Sequence, residues 1–332
     1  MRPARRWLWL GAWVVTTLLL VLVLRQVSVS RAVAILQRAS ASWLCASIGI
    51  YMIILPLGAT QWRAMLPASA SVSWRRVFHM FAFTSVANNT TPSVIGHATG
   101  VLLLAAEPGV GRSAALSVLA LDQIAVGLMK IVVLLLASAL VPLPDWMHDG
   151  LVSLATVVGL LVALVGLAAF QHARVARWAA ARAPGRTSAF ARLASDWSRD
   201  LEVLRAPRRF ATGLACAAGV KATEALAIVA TQAAFGLHFP PSATILVLAA
   251  TALATFVPIA PANLGVYEAA TFAAYRLVGV DAELALAIAL AQHACQWIGA
   301  VSVGYVLLTV RRPGVVKSAP PAVPGERRPQ RP

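Results

Sequence analysis

The sequence predicts an all-α polytopic membrane protein built as an inverted-topology repeat: about six full spans plus two re-entrant or broken hairpins, eight apolar segments in all. Three observations predict it. Of the 332 residues, 59% are hydrophobic and 12% charged, and the apolar residues fall in runs too long for a soluble core. The basic residues, which give a formal net charge of +16, gather between those runs and in the tails. Orientation against the bilayer accounts for them there, and without a recognition motif they do not call for nucleic acid. Finally, two helix-breaking stretches lie inside the apolar material and align without a gap at an offset of 169 residues, pairing Pro92 with Pro261, Gly96 with Gly265 and Gln123 with Gln292. Backbone freed by proline and glycine at membrane depth is tolerated where protein or a water-filled cavity satisfies it.

Met1 to Arg6 carries three arginines and leads into an apolar run from Trp7 to Leu24, so the first span starts with the N-terminus inside. No small-x-small cleavage site follows closely, which favours a retained span over a signal peptide. Arg25 to Arg38 spaces Val29, Val33 and Leu36 at helical intervals, predicting a short interfacial helix whose arginines sit at headgroup level on the outer side. Ala39 to Trp62 is the second span, and Arg63, Arg75 and Arg76 mark an inside loop. Val77 to Ala106 then runs 30 residues without a formal charge, divided by Pro92 and Gly96 into pieces too short to cross. It reads as a hairpin entering and leaving on the inside, with one long kinked helix as the alternative.

Ser113 to Leu140 crosses outward to a loop, Val141 to Gly150, that holds Asp145 and Asp149 but no Lys or Arg. Leu151 to Phe170 returns to a basic cytoplasmic loop, 172–209, whose arginines alternate with Trp178 and Trp197 and would lie against anionic phospholipid headgroups. Phe210 to Leu237 goes out, a second hairpin from Ala243 to Tyr275 enters and leaves from outside, and Leu284 to Val310 returns. Residues 1–310 thus form one transmembrane domain with halves 1–141 and 142–310, and 311–332 is a disordered basic tail. Both termini are expected on the cytoplasmic side.

An intramembrane charge costs about 2.5 to 3.5 kcal/mol at a helix centre, so each one is a functional candidate. Asp122 and Lys130 share one segment, Lys221 and Glu224 lie three apart on another, and Glu268 follows Gly265. Lys221 and Glu224 can equally neutralise each other as a structural pair. Glu268 opens the helix after the second break, either compensating the positive helix end or accepting hydrogen bonds from a headgroup whose phosphate faces free backbone N–H groups. Asn88, Asn89, Thr90, Thr91, Ser93, His97 and Thr99 form a polar run in the first hairpin; each hydroxyl can back-bond to its own helix, while their number suggests a wet cavity. His79, His97 and His293 have no metal-ligand spacing, and Cys45, Cys216 and Cys295 read as packing residues. There is no H-E-x-x-H, G-x-S-x-G or G-x-x-x-x-G-K-[ST] sequence, and no cofactor is expected.

At Pro258-Ile259-Ala260-Pro261-Ala262-Asn263-Leu264-Gly265-Val266-Tyr267-Glu268, with Asn89-Thr90-Thr91-Pro92-Ser93-Val94-Ile95-Gly96, the chain resembles the lysylphosphatidylglycerol synthetase transmembrane-region family of flippase-like membrane proteins. That family typically shows P-G-G-L-G-x-x-E; Pro261, Leu264, Gly265 and Glu268 match, and Ala262 and Asn263 replace the glycine pair. In the first hairpin, His97 and Gly100 stand where relatives often carry an acid or glycine and then an Arg. Some relatives add a soluble aminoacyl-transferase domain; here a short tail follows, so aminoacylation by that route is not expected.

The resemblance implies translocation or trafficking of a lipid across the bacterial inner membrane: an aminoacyl-phospholipid, an isoprenoid-type lipid or a glycolipid. The expected substrate-binding residues are Asn89, Thr91, Pro92, Gly96, Asp122, Lys221, Glu224, Pro261, Asn263, Gly265 and Glu268, with a separate lipid-synthesis enzyme as a further partner. A membrane-embedded lipid-modifying enzyme, an accessory or scaffold subunit and a small-ion transporter are the alternatives.

Overall fold

The computed structural model describes residues 27–68, 70–91, 93–170, 206–256 and 261–310, with backbone alone at 93, 94, 168–170 and 261. The expected first span, Pro92, Pro258, most of the basic loop and the tail lie outside the described residues.

The chain begins here with the short helix α1 (Val29–Gln37), where the arginine-flanked pattern places it. Helices α2 (Ala41–Met52) and α3 (Ile54–Met65) form one apolar stretch interrupted at Ile53, as Pro56 has no N–H to give to the Met52 carbonyl. Two shorter helices follow, α4 (Trp74–Thr90) and α5 (Ser93–Ala105), then the long α6 (Arg112–Leu140), α7 (Asp145–Phe170) and α8 (Pro207–Ala234). Short helices α9 (Pro241–Ala254) and α10 (Val266–Leu277) flank a 3₁₀ turn at Pro261–Asn263, and α11 (Ala282–Val310) closes the series.

Five stretches, Ala41–Met65, Arg112–Leu140, Asp145–Leu167, Pro207–Ala234 and Ala282–Val310, are long and apolar enough to cross a bilayer. They coincide with five of the expected spans, and the chain is a multi-pass membrane protein. At 1.5 Å per residue, helices of 17, 13, 14 and 12 residues (α4, α5, α9 and α10) each fall short of a hydrocarbon core about 30 Å thick.

Both short pairs fold back on themselves. A Cβ added at Gly96 would lie 2.6 Å from Asn88 Cα, and one at Gly100 would lie 3.1 Å from the Thr84 side chain. Positions 88 with 96 and 84 with 100 are equidistant from residue 92, a pairing that only antiparallel helices make. One long kinked helix is thereby excluded for this segment. In the second pair, Phe239 before α9 faces Tyr275 near the end of α10, with ring centroids 6.2 Å apart.

The element bounds keep the sequence offset. Adding 169 to Arg112–Leu140 gives 281–309, against Ala282–Val310 for α11; adding it to Ala41–Met65 gives 210–234, against Pro207–Ala234 for α8. Each hairpin packs in its own apolar core. One core joins α4 and α5 to α3 and α6 through Trp62, Met65, Val77, Leu104 and Leu121. The other joins α9 and α10 to α6, α7 and α11 through Leu134, Met147, Leu246, Phe272 and Ile288. Helix α7 turns many of its leucines and valines outward, as a lipid-facing helix does.

Candidate functional site

The two breaks bring the hairpin tips together. Helix α4 runs antiparallel to α11: a Cβ at Gly304 would meet Ala82 O at 2.7 Å, Ser85 Oγ donates to Ala300 O at 2.9 Å, and Trp297 Nε1 donates to Asn89 O at 2.9 Å. Helix α10 also runs antiparallel to α11, joined to it by a four-residue turn and tied to it through Glu268 and His293. So α4 approaches its tip in the direction in which α10 leaves its own, and the tips point at each other. Between them lies a cavity of about 530 Å³. Glu268 and His293 form its floor, Asn89, Thr90, Ala262 and Ala294 line its walls, and the partly exposed Leu264, Leu290 and Trp297 form an apolar rim.

The second tip is shaped by left-handed backbone. Ala262 has φ 54°, Asn263 φ 57° and Gly265 φ 82°. Asparagine visits this region readily and glycine freely, whereas alanine there costs about 1–2 kcal/mol. The turn aims the Ala262 carbonyl at α11, where it accepts from His293 Nε2 at 3.0 Å.

Glu268, in the first turn of α10, accepts the Gly265 N–H on Oε2 at 2.7 Å. The backbone donor that the sequence pattern offers to a phosphate is therefore used by the chain's own carboxylate. Its Oε1 lies 2.7 Å from His293 Nδ1, and both side chains are 7% exposed.

The position of one proton follows from these contacts. A carbonyl only accepts, so Nε2 of His293 carries a hydrogen toward Ala262. Two unprotonated acceptors would repel at 2.7 Å, so one proton must lie between Nδ1 and the carboxylate. Whichever atom holds it, the pair is neutral overall, the state in which two ionisable groups are cheapest to bury. Tyr267 stacks on the imidazole with centroids 4.4 Å apart, and its hydroxyl accepts from Gln292 Nε2 at 2.9 Å, holding the ring in place.

The remaining expected site residues within the described residues divide into four groups. Asn89 Nδ2, Thr90 Oγ1 and Thr91 Oγ1 donate to carbonyls one turn back, Ser85 O, Val86 O and Ala87 O, so back-bonding occupies these donors, and Asn89 and Thr90 line the cavity. Gly96, Pro261, Asn263 and Gly265 shape the tips, Gly96 by admitting the Asn88 backbone. Asp122 lies away from the cavity lining, where Gln61 Nε2, Trp62 Nε1 and Gln123 Nε2 donate to its carboxylate at 2.9, 3.0 and 3.1 Å and tie α3 to α6. Lys221 and Glu224 form the local pair that their spacing allows, at 2.7 Å, with Glu224 on a separate small chamber.

His293 and Trp297 were not among the expected site residues. A signal was present: Leu290, His293, Ala294 and Trp297 stand at i, i+3, i+4 and i+7, one face of a helix with a polar group in its middle.

Comparison with curated proteins and with solved structures found no match. A family model does match: the lysylphosphatidylglycerol synthase TM region model covers residues 8–304, and the chain belongs to that family of membrane proteins related to lipid handling.

Proposed function

We propose that the protein translocates a lipid across the bacterial inner membrane, the headgroup crossing between the hairpin tips while the acyl or prenyl tails stay in hydrocarbon. The observation that carries this reading is the cavity itself, a 530 Å³ space with one neutral acid–histidine pair on its floor and exposed leucine and tryptophan on its rim. That volume suits a small-molecule group, and an apolar rim lets lipid enter sideways. The headgroup's desolvation is the barrier to be lowered, and the polar atoms of Asn89, Thr90, Glu268 and His293 offset it. With the N-terminus inside, one hairpin would enter from each leaflet, and rocking of one half against the other would alternate access. Aminoacyl-phospholipids, isoprenoid-type lipids and glycolipids remain the candidate cargo classes, and the basic loop 172–209 would rest on anionic headgroups.

An enzyme acting at the same pair is the weaker reading. Both nitrogens of His293 are engaged, Nδ1 by Glu268 and Nε2 by Ala262 O, so neither is free to take a substrate proton. The test is reconstitution in liposomes carrying headgroup-labelled lipids of each class, with bleaching of the outer leaflet as readout. Wild type should accelerate loss of the protected inner pool for at least one class, and Glu268→Gln should not. Equal rates for the two proteins would remove Glu268 from the mechanism. Topology is checked separately: cysteines replacing Glu107 and Arg276 should be labelled from opposite faces.

A further inference from the structure

A second buried feature lies beside the tips and is not used by the cavity between them. Helix α9 ends inside the protein, where its last carbonyls carry the partial negative charge of a helix C-terminus. Lys130 of α6 reaches that end and donates from Nζ to Thr255 O and to Thr255 Oγ1, both at 3.0 Å, although it is only 8% exposed. Next to it is a chamber of about 30 Å³ lined by Tyr51, Glu224, Thr251, Thr255, Tyr267 and Gln296. Such a volume holds a water or a small ion and excludes a lipid headgroup.

The chamber's polar atoms are chiefly acceptors. Gln296 Oε1 is buried with no hydrogen-bond partner. Thr251 Oγ1 gives its proton to Leu248 O and so presents lone pairs, while Thr255 Oγ1 gives its proton to Thr251 O and accepts from Lys130 Nζ. Glu224 contributes a carboxylate whose Oε2 already holds Lys221 Nζ at 2.7 Å. An amide oxygen, a carboxylate, two hydroxyl oxygens and the open end of a half-helix are what a monovalent cation needs where a broken helix ends in a membrane.

We infer that the end of α9, at the edge of this chamber, is a monovalent-cation site occupied by the chain's own Lys130 ammonium, so that the fold supplies that cation covalently and needs no sodium ion there. Helix packing does not demand the charge. At the offset of 169 the counterparts of Lys130 and Thr255 are Gly299 and Val86; Gly299 faces Ile48 and Tyr51 of α2, and Val86 of α4 packs instead against Gly304 of α11, five residues further on. The same crossing is thus built once with an ammonium and once without. This inference stands independently of the cargo, and its test reads stability, so failure of lipid transport would leave it untouched.

The experiment is thermal unfolding of the purified full chain at constant ionic strength in choline, sodium, ammonium or methylammonium chloride. Wild type should melt at one temperature in all four salts. Lys130→Ala, which opens the site, should melt lower in choline and recover saturably with sodium or methylammonium. Lys130→Met keeps the stem and loses the charge, and should be destabilised without recovery. A wild type that is itself saturably stabilised by sodium over choline would overturn the inference. So would Lys130→Ala or Lys130→Met matching wild type in choline. If Lys130→Ala yields no folded protein in any salt, the wild-type series and Lys130→Met decide.

Discussion

Replacing Glu268 with alanine should destabilise the protein severely, while glutamine should be tolerated structurally and lose transport. The carboxylate serves two donors at 2.7 Å, Gly265 N–H and the proton shared with His293 Nδ1, at 7% exposure. Alanine strands both groups in a site with little water. Breaking a buried pair by removing one partner costs about 3–5 kcal/mol, and the lost cap on α10 adds roughly 1 kcal/mol. Glutamine keeps one oxygen for Gly265 N–H and turns its NH₂ toward Nδ1, which accepts because Ala262 O has already fixed the hydrogen on Nε2. What is lost is charge assistance, about 1–2 kcal/mol, together with the shared proton. Equilibrium unfolding of Glu268→Ala, Glu268→Gln, His293→Ala and the double alanine variant in mixed micelles measures these terms. The coupling between the two alanine changes should exceed about 2 kcal/mol. A Glu268→Ala protein within about 1 kcal/mol of wild type, or a coupling of zero, would refute the claim that this pair holds the second tip.

Other changes test other parts of the site. Ala262→Gly relieves a left-handed alanine and should stabilise the chain by about 1 kcal/mol in the same unfolding measurement, whereas Ala262→Val should destabilise it by more. Gly96→Ala places a Cβ 2.6 Å from Asn88 Cα, a backbone atom that cannot rotate away, and should cost about 1–3 kcal/mol by forcing the first hairpin apart; chymotryptic nicking near its tip would report the opening. Asp122→Asn replaces an acceptor oxygen by a donor among three donors and should cost about 2 kcal/mol, with transport per folded molecule unchanged if Asp122 only ties α3 to α6. Trp297→Phe removes the indole link to Asn89 O while keeping the ring, and should lower stability by about 1 kcal/mol and alter the transport rate by loosening one tip from α11.

What one dimension carries and what it hides can be seen at individual residues. Pro92, Gly96, Pro261 and Gly265 announce breaks because helix backbone obeys local rules, and the offset of 169 is a property of the string itself. Five of the expected spans were legible for the same reason, as length and apolarity decide them. The partners were not legible. Glu268 meets His293 across 25 positions and Asp122 meets Gln61 across 61, separations at which no periodicity speaks. The polar run from Asn88 to Thr91 meets both readings that residue type offers: Asn89 and Thr90 line the cavity, while Asn89, Thr90 and Thr91 back-bond to their own helix.

The duplication also separates scaffold from site. Gln123 and Gln292 occupy matching places and do matching work: each sends its amide to the second helix of its own hairpin, Gln123 to His97 at 3.3 Å and Gln292 to Tyr267 at 2.9 Å. A contact preserved in both copies is one that the shared architecture needs. The acid–histidine pair has no such counterpart, for Glu268 and His293 correspond to Thr99 and Ile124, and Lys130 corresponds to Gly299. The acid–histidine pair in the second half and Asp122 and Lys130 in the first thus each lack a charged counterpart, so the helix crossings alone do not require them. On the function proposed above, the acid–histidine pair makes the second hairpin the headgroup-contacting one and the first its wall. Exchanging Thr99 for glutamate and Ile124 for histidine would test that division, because a symmetric scaffold should admit the pair, and transport should still fail when Glu268 is neutralised.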